Sequence, residues 1–496
     1  MNNQSPEQGW ARLDPRTVLV RPVSVLVKLL PAVFGGVVIG SRAGSQLWTG
    51  LVTVAVLAGV GVVAYATTRY RVTEEQVELR SGFFTRTRHA TPRDRVRTVQ
   101  ATAPPLHRLL GVVRVRIGTG TAAARNSPAE LVLDAVSHAE LDSLRSALLR
   151  RGAPTAGWVP EPERELLRWN PAWALYAPLS TTGLVAVAAA LGAGFQTVDQ
   201  LGISRDGVGT VARAVSGTDP AVLAVATALT LLVLSVVAAV AVHVEGWWGM
   251  RLTRSDDASL HVRRGLLTTR SVTVEQARLR GVTVREPLLV RAAGGGRVDA
   301  VVSGLAHDEG SVDNAALTPA APLRTVARVT AAALGVPVTG ELTPHPLAAR
   351  RRRVVRTLVP AVALLAVGVG AAARGALGWW VVPVATVVVP ALALALALDR
   401  YRSLGHTVTD ELLVVRQGSL VRRTTALQRP GIIGITVRRS LFQRRAGLST
   451  VQFTTAAGSG AYELLDVGAV QGLRAAQAAV PGLLRPFLVG GARPGE

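Results

Sequence analysis

The stretch YRVTEEQVELRSGFF, Tyr70–Phe84, decides the fold, because it occurs three times. Its counterparts are LTRSDDASLHVRRGLL at Leu252–Leu267 and HTVTDELLVVRQGSL at His406–Leu420. Gly82, Gly265 and Gly418 fall in register. A second glycine (Gly111, Gly294, Gly447) follows 29 residues later in every copy, with an arginine three positions before it (Arg108, Arg291, Arg444). Ungapped agreement over that distance indicates an internal triplication.

Each copy reads as β structure. Val77 and Leu79 alternate with Gln76, Glu78 and Arg80, and Gly82 then makes a turn. Val113, Val115 and Ile117 alternate with Arg114 and Arg116, and Leu131, Leu133 and Ala135 repeat the pattern. A helix follows, opened by a Ser137/Glu140 capping box and carrying an apolar stripe at Leu141, Leu144 and Leu148. The third copy predicts a strand at Tyr462–Val467 and a helix at Ala469–Ala479. The second copy is glycine-rich at Gly294–Gly296, and its closing helix arrives late, near Ala321–Leu334.

Before each copy stand two apolar stretches: Val18–Gly40 and Leu47–Thr67, Ala172–Phe195 and Ala221–Val244, Val354–Ala373 and Leu377–Leu398. A bilayer-crossing helix needs about 20 mostly apolar residues, and each stretch reaches that length. The expectation is an α+β membrane protein: six transmembrane helices in three hairpins, each followed by a small β-barrel closed by a C-terminal helix. The organisation reads as 1–68 tail and first hairpin, 69–152 first module, and 153–249 linker and second hairpin. It continues as 250–340 divergent second module, 341–399 basic linker and third hairpin, 400–485 third module and 486–496 tail. No cleavable signal peptide is evident, since the first apolar stretch is too long for one.

A membrane hairpin followed by V-T-E-E-x-V-x-L-R-x-G and R-V-R-T-V resembles the bacterial membrane-flanked PH-like domain family, and the triplication resembles its YdbT-like members. The resemblance implies a PH-like β-barrel for each module and brings no catalytic residues.

Composition narrows the function. The formal charge is +23, which on a membrane chain reads as the positive-inside rule and affinity for anionic lipid rather than for nucleic acid. Arginines crowd the module side of the apolar stretches, so the modules and both termini are expected in the cytoplasm, the chain being a multi-pass protein of the cell membrane. Cysteine is absent and Lys28 is the sole lysine, which removes thiolate chemistry, Walker A loops, kinase lysines and most Schiff-base chemistry. The histidines show no metal-ligand spacing, and Gly-x-Ser-x-Gly does not occur. The reading is therefore a non-enzymatic scaffold without cofactor or metal, whose modules bind membrane lipid headgroups, each other or a protein partner. Candidate anionic lipid or phosphate contacts are Arg86, Arg88, Arg93 and Arg95 in the first module and Arg350, Arg351, Arg352 and Arg353 before the fifth stretch. The alternative is a transporter or lipid-handling protein built from the spans. Intramembrane polarity discriminates: Ser180, Thr181, Thr182, Thr227, Thr230 and Ser235 bring no carboxylate pair.

Overall fold

The computed structural model describes residues 10–12, 67–81, 87–118, 130–137, 164–180, 220–302 and 315–482, except 74, 93–95, 97, 256–258, 339 and 376–377, together with single positions at 59, 62, 140, 141 and 144. The chain divides into two compact units, Met1–Arg278 with Gly304–Asn314, and Leu279–Ser303 with Ala315–Glu496.

The first module contributes β1 (Ala11–Arg12), β2 (Arg69–Val72), β3 (Gln76–Ser81), β4 (Thr87–Pro92), β5 (Thr98–Ala103), the short helix α1 (Pro105–Leu109), β6 (Val112–Gly118) and β7 (Glu130–Ser137). The second contributes β8 (Arg164–Arg168), α2 (Pro220–Trp247), β9 (Arg251–Arg254), β10 (Ser259–Arg264), β11 (Thr269–Glu275), β12 (Leu279–Pro287), α3 (Leu288–Ala292), β13 (Gly295–Val302), β14 (Ala321–Pro322) and α4 (Leu323–Leu334). The third begins with α5 (Leu347–Ala373) and α6 (Val381–Arg402). Its strands are β15 (Gly405–Val408), β16 (Leu412–Gln417), β17 (Val421–Gln428), β18 (Ile432–Arg438), β19 (Leu448–Thr455) and β20 (Ala461–Gly468), with α7 (Leu441–Arg445) and α8 (Ala469–Ala479).

Local physics matches the predicted pattern closely. The helix at Ala469–Ala479 and the late helix ending at Leu334 form as expected, the latter capped by Gly335 at φ +80°. Ser137 accepts from the Glu140 backbone N–H at 3.2 Å. Gly265 and Gly418 take φ of +111° and +103°, and a Cβ there would lie 2.0 and 2.1 Å from the carbonyl oxygens of Thr268 and Val421. Only glycine fits such a turn. Gly82 lies outside the described residues.

Within each unit one core is well defined. In the first, Tyr70, Val77 and Leu79 meet Val99, Val115, Ile117 and Leu133, with the stripe residues Leu141 and Leu144 sealing the end. In the second, Leu413, Val415 and Leu427 meet Val451, Phe453 and Leu464, covered by Ala475, Ala476 and Ala479 of α8. Each fully buried leucine or phenylalanine contributes about 1.5–3 kcal/mol.

Two expectations require correction. The sheets do not close into three barrels. Among the described residues they are open sheets of four strands (β1-β2-β3-β4), seven (β7-β6-β5-β11-β10-β9-β8), six (β14-β13-β12-β17-β16-β15) and three (β18-β19-β20). The physical reason is that successive modules share strands' edges. β5 of the first module pairs with β11 of the second, from Thr269↔Ala103 to Val274↔Thr98. β12 of the second pairs with β17 of the third, from Gly281↔Leu427 to Pro287↔Val421.

Six transmembrane helices are not supported either. Among the described residues two helices, α5 and α6, are long and apolar enough to cross a membrane. Ala172–Phe195 opens as a 3₁₀ turn over Pro171–Tyr176 followed by Pro178, so apolar length there does not become an α-helix at its start. Ala221–Val244 is helical within α2, of which Leu232–Trp247 counts as a shorter apolar helix. Val18–Gly40 and nearly all of Leu47–Thr67 lie outside the described residues. In α5 and α6 the apolar side chains face outward: Leu364, Val367, Val387 and Leu392 are all exposed. The length and apolar composition of the two helices suffice to cross a bilayer.

Segments preceding the apolar pairs return as edge strands. β1 pairs with β2, β8 with β9, and Thr343 bridges His406. The chain thus re-enters the sheet it left before each apolar pair, which sets the foot of the α5–α6 hairpin directly on the third module.

Candidate anion-binding site

The four-arginine run begins α5, and the helix divides it. Successive helical residues are turned by about 100°, so a run of four faces several directions. Arg350 and Arg351 are exposed, whereas Arg353 is buried and Arg352 is mostly covered. The last two converge on Asp466 of β20: Arg352 pairs with its Oδ1, and Arg353 Nη2 lies 2.7 Å from Oδ2. Gln443 Nε2 donates to the same carboxylate at 2.9 Å and to Thr450 Oγ1 at 2.8 Å. Gln443 is itself held by a capping box with Ser440 at the start of α7. Asp466 is buried at φ +52°, a left-handed conformation that aspartate tolerates better than most side chains.

His345 meets the backbone of the same aspartate. Its Nδ1 is 3.2 Å from the Asp466 carbonyl oxygen, and its ring meets His406 edge-on at 5.5 Å. Burial, followed by the neighbouring His406, pushes the His345 pKa down to about 4; burial lowers that of His406 as well. Both imidazoles are therefore neutral at physiological pH.

Beside this cluster, at the foot of the hairpin, is a cavity of about 200 Å³ lined by Arg353, Arg400, Arg423, Gln417, Leu404 and Leu465. Arg400 belongs to the last turn of α6 and Arg423 to β17. Both are exposed, and neither makes an ion pair among the described residues. Arg353 is already partly neutralised by Asp466. Nearby, Asp399 takes Arg291 at 2.8 Å and Arg422 at 3.8 Å, so the neighbouring carboxylate is occupied. The cavity therefore offers two uncommitted guanidinium groups and an amide to an anion. Guanidinium forks match phosphate oxygens bidentately.

The first-module candidates fare differently. Arg88 Nη2 donates to Glu78 Oε1 at 2.9 Å, with Arg71 on Oε2 at 3.2 Å. That Arg88 hydrogen bond, with Arg71 adding to it, holds the Glu78 pKa below the usual carboxylate range. Arg88 thus has a resident anion. Arg86, Arg93 and Arg95 lie outside the described residues. Sequence reasoning singled out none of Arg400, Arg423 and Asp466. The available signal was an arginine at the end of an apolar stretch, two residues before another, Arg402.

The profile of the bacterial PH domain family matches residues 25–152, 207–339 and 354–480, each match taking in an apolar stretch and the module after it. The chain therefore belongs to that family, with three copies in tandem. No curated protein and no solved structure matches the chain.

Proposed function

We propose that this member of the bacterial PH domain family is a non-enzymatic membrane scaffold, anchored by the α5–α6 hairpin, whose modules lie in the cytoplasm and hold the phosphate of anionic lipid headgroups. The observation that carries the reading is the cavity under the hairpin. Arg353 and Arg400 flank the apolar parts of α5 and α6, at the level where headgroups would stand, and Arg423 reaches the same space from β17. Arg350 and Arg351 stand exposed just before Arg353. Each basic residue near an anionic surface contributes about 1 kcal/mol. Positive residues at the foot of the hairpin also favour the cytoplasmic side.

The test uses the full chain in nanodiscs of mixed zwitterionic and anionic lipid. Native mass spectrometry should find anionic lipid retained by the natural chain and lost from Arg400→Gln/Arg423→Gln. Retention should weaken as salt rises, because exposed charges are screened within about 8–10 Å. Inorganic phosphate should compete if the phosphate alone is recognised. Equal retention by the double variant would remove the site. A reporter at the Gly375 turn that reads cytoplasmic would reverse the orientation.

A further inference from the structure

Each junction between modules follows one rule, and among the described residues two sheet edges, β4 and β18, leave that rule incomplete. The modules are offset by 183 and 153 residues (265−82, 418−265). Val99 faces Thr273 at the first junction, and Val282 faces Ala426 at the second. Val282 is the repeat counterpart of Val99, and Thr273 and Ala426 are both counterparts of Ala90. The two junctions thus have the same antiparallel register to the residue. They also share a latch. Arg108 donates to the carbonyl of Leu266, the residue after Gly265; Arg291 donates at 3.4 Å to that of Ser419, the residue after Gly418.

Among the described residues β18 pairs with β19 alone, β4 with β3 alone, and Arg444 is exposed with no side-chain hydrogen bond or ion pair. Positions that are buried at the internal junctions lie open at these edges. Val437 is 46% exposed where its counterpart Ala101 is buried; Ala90 is exposed where Thr273 and Ala426 are buried. Pro92, which lacks an N–H, falls just outside the stretch the rule would pair, Gly434–Arg438 against Thr87–Thr91.

We infer that β18 of one chain pairs antiparallel with β4 of a second copy, in the register Ile435↔Ala90, Thr436↔His89 and Val437↔Arg88. The edges are complementary and not alike, so the contact is head-to-tail and generates a ring or an open row of chains. A second copy is the occupant because its exposed β4 presents the same strand, at the same repeat positions, that β18's counterparts already accept. Arg88 enters with Glu78 as its counter-ion, which limits repulsion from Arg438.

The natural chain has no cysteine, so introduced thiols report without background. At the second junction Thr283 and Thr425, the counterparts of Thr436 and His89, bring their hydroxyls to 3.1 Å. Thiols at Thr436 and His89 would therefore meet within disulfide reach. Thr436→Cys and His89→Cys chains with different tags, co-expressed and oxidised in their own membranes, should give a disulfide-linked species of twice the chain mass carrying both tags. Thr436→Cys with Ala90→Cys, one residue out of register and facing the other side of the sheet, should not. Native mass spectrometry of the cysteine-free chain should find more than one copy, and Arg444→Ala should reduce that fraction. A chain carrying both Thr436→Cys and His89→Cys that closes only on itself would overturn the second-copy reading. So would absence of the mixed disulfide, or equal cross-linking by the out-of-register pair.

Discussion

Replacing Asp466 with asparagine isolates one charge at the joint between the apolar hairpin and the third module. Asparagine tolerates the φ of +52° as aspartate does, so the backbone is not the variable. Its amide oxygen still accepts from Gln443. What disappears is the counter-ion of Arg353, whose side chain is 9% exposed, and of Arg352. Removing one partner of a buried ion pair costs about 3–5 kcal/mol, because the remaining charge stays desolvated. The retained hydrogen bonds place the expected cost near the lower limit, about 3 kcal/mol, or roughly a hundredfold in the opening equilibrium. Hydrogen exchange on the full chain in nanodiscs reads this locally: protection across β19, β20 and α8 should fall by about two decades where opening involves the module. Arg353→Met in the same background should recover part of the loss, since it removes the stranded cation. A fall of less than about threefold in protection would refute the claim that this cluster joins hairpin to module. An Asp466→Gly chain more stable than the natural one would instead show that backbone strain outweighs the ion pairs.

Two further outcomes follow from the same unit. Gly418→Ala should destabilise the third module by more than the roughly 1–2 kcal/mol of a left-handed residue, because its Cβ also meets the Val421 carbonyl at 2.1 Å. Gly447→Ala, at φ +66° with open space around the new Cβ, should show the conformational cost alone; equal exchange rates in the two variants would contradict this. His345 titrates at about 4 when folded and about 6.5 when unfolded, so the unfolded state binds the proton first. Its stabilisation is complete above the unfolded value and is lost as pH falls, by about 2 kcal/mol between about pH 7.5 and about pH 5. His345→Gln should flatten that dependence in exchange measured against pH, leaving the smaller slope from His406.

Alternation and glycine spacing revealed most of the local structure, because both are imposed by nearest neighbours. Val113, Val115 and Ile117 point to one face whatever lies beyond the strand edge, and Gly418 needs its φ wherever the turn sits. The same locality explains the failures. Apolar length does not register the 3₁₀ turn and Pro178 that begin the Ala172–Phe195 stretch. The Asp466 cluster joins residues more than a hundred positions apart, and Arg423 looks like any solvent-facing residue of an alternating strand.

The missing barrels are the most instructive error. A strand that closes its own barrel and a strand that pairs with the next module carry the same in–out pattern, since side-chain alternation is perpendicular to the hydrogen-bonding edge. Hydrophobic pattern cannot choose between them. The arginine three residues before Gly111, Gly294 and Gly447 could have chosen, because a solvated arginine has no reason to keep its distance from a turn glycine three times. Its role becomes visible only with the next module present, where Arg108 and Arg291 each bond the carbonyl that follows that module's turn glycine. A feature that recurs within a repeat but is satisfied only by the neighbouring repeat signals an array.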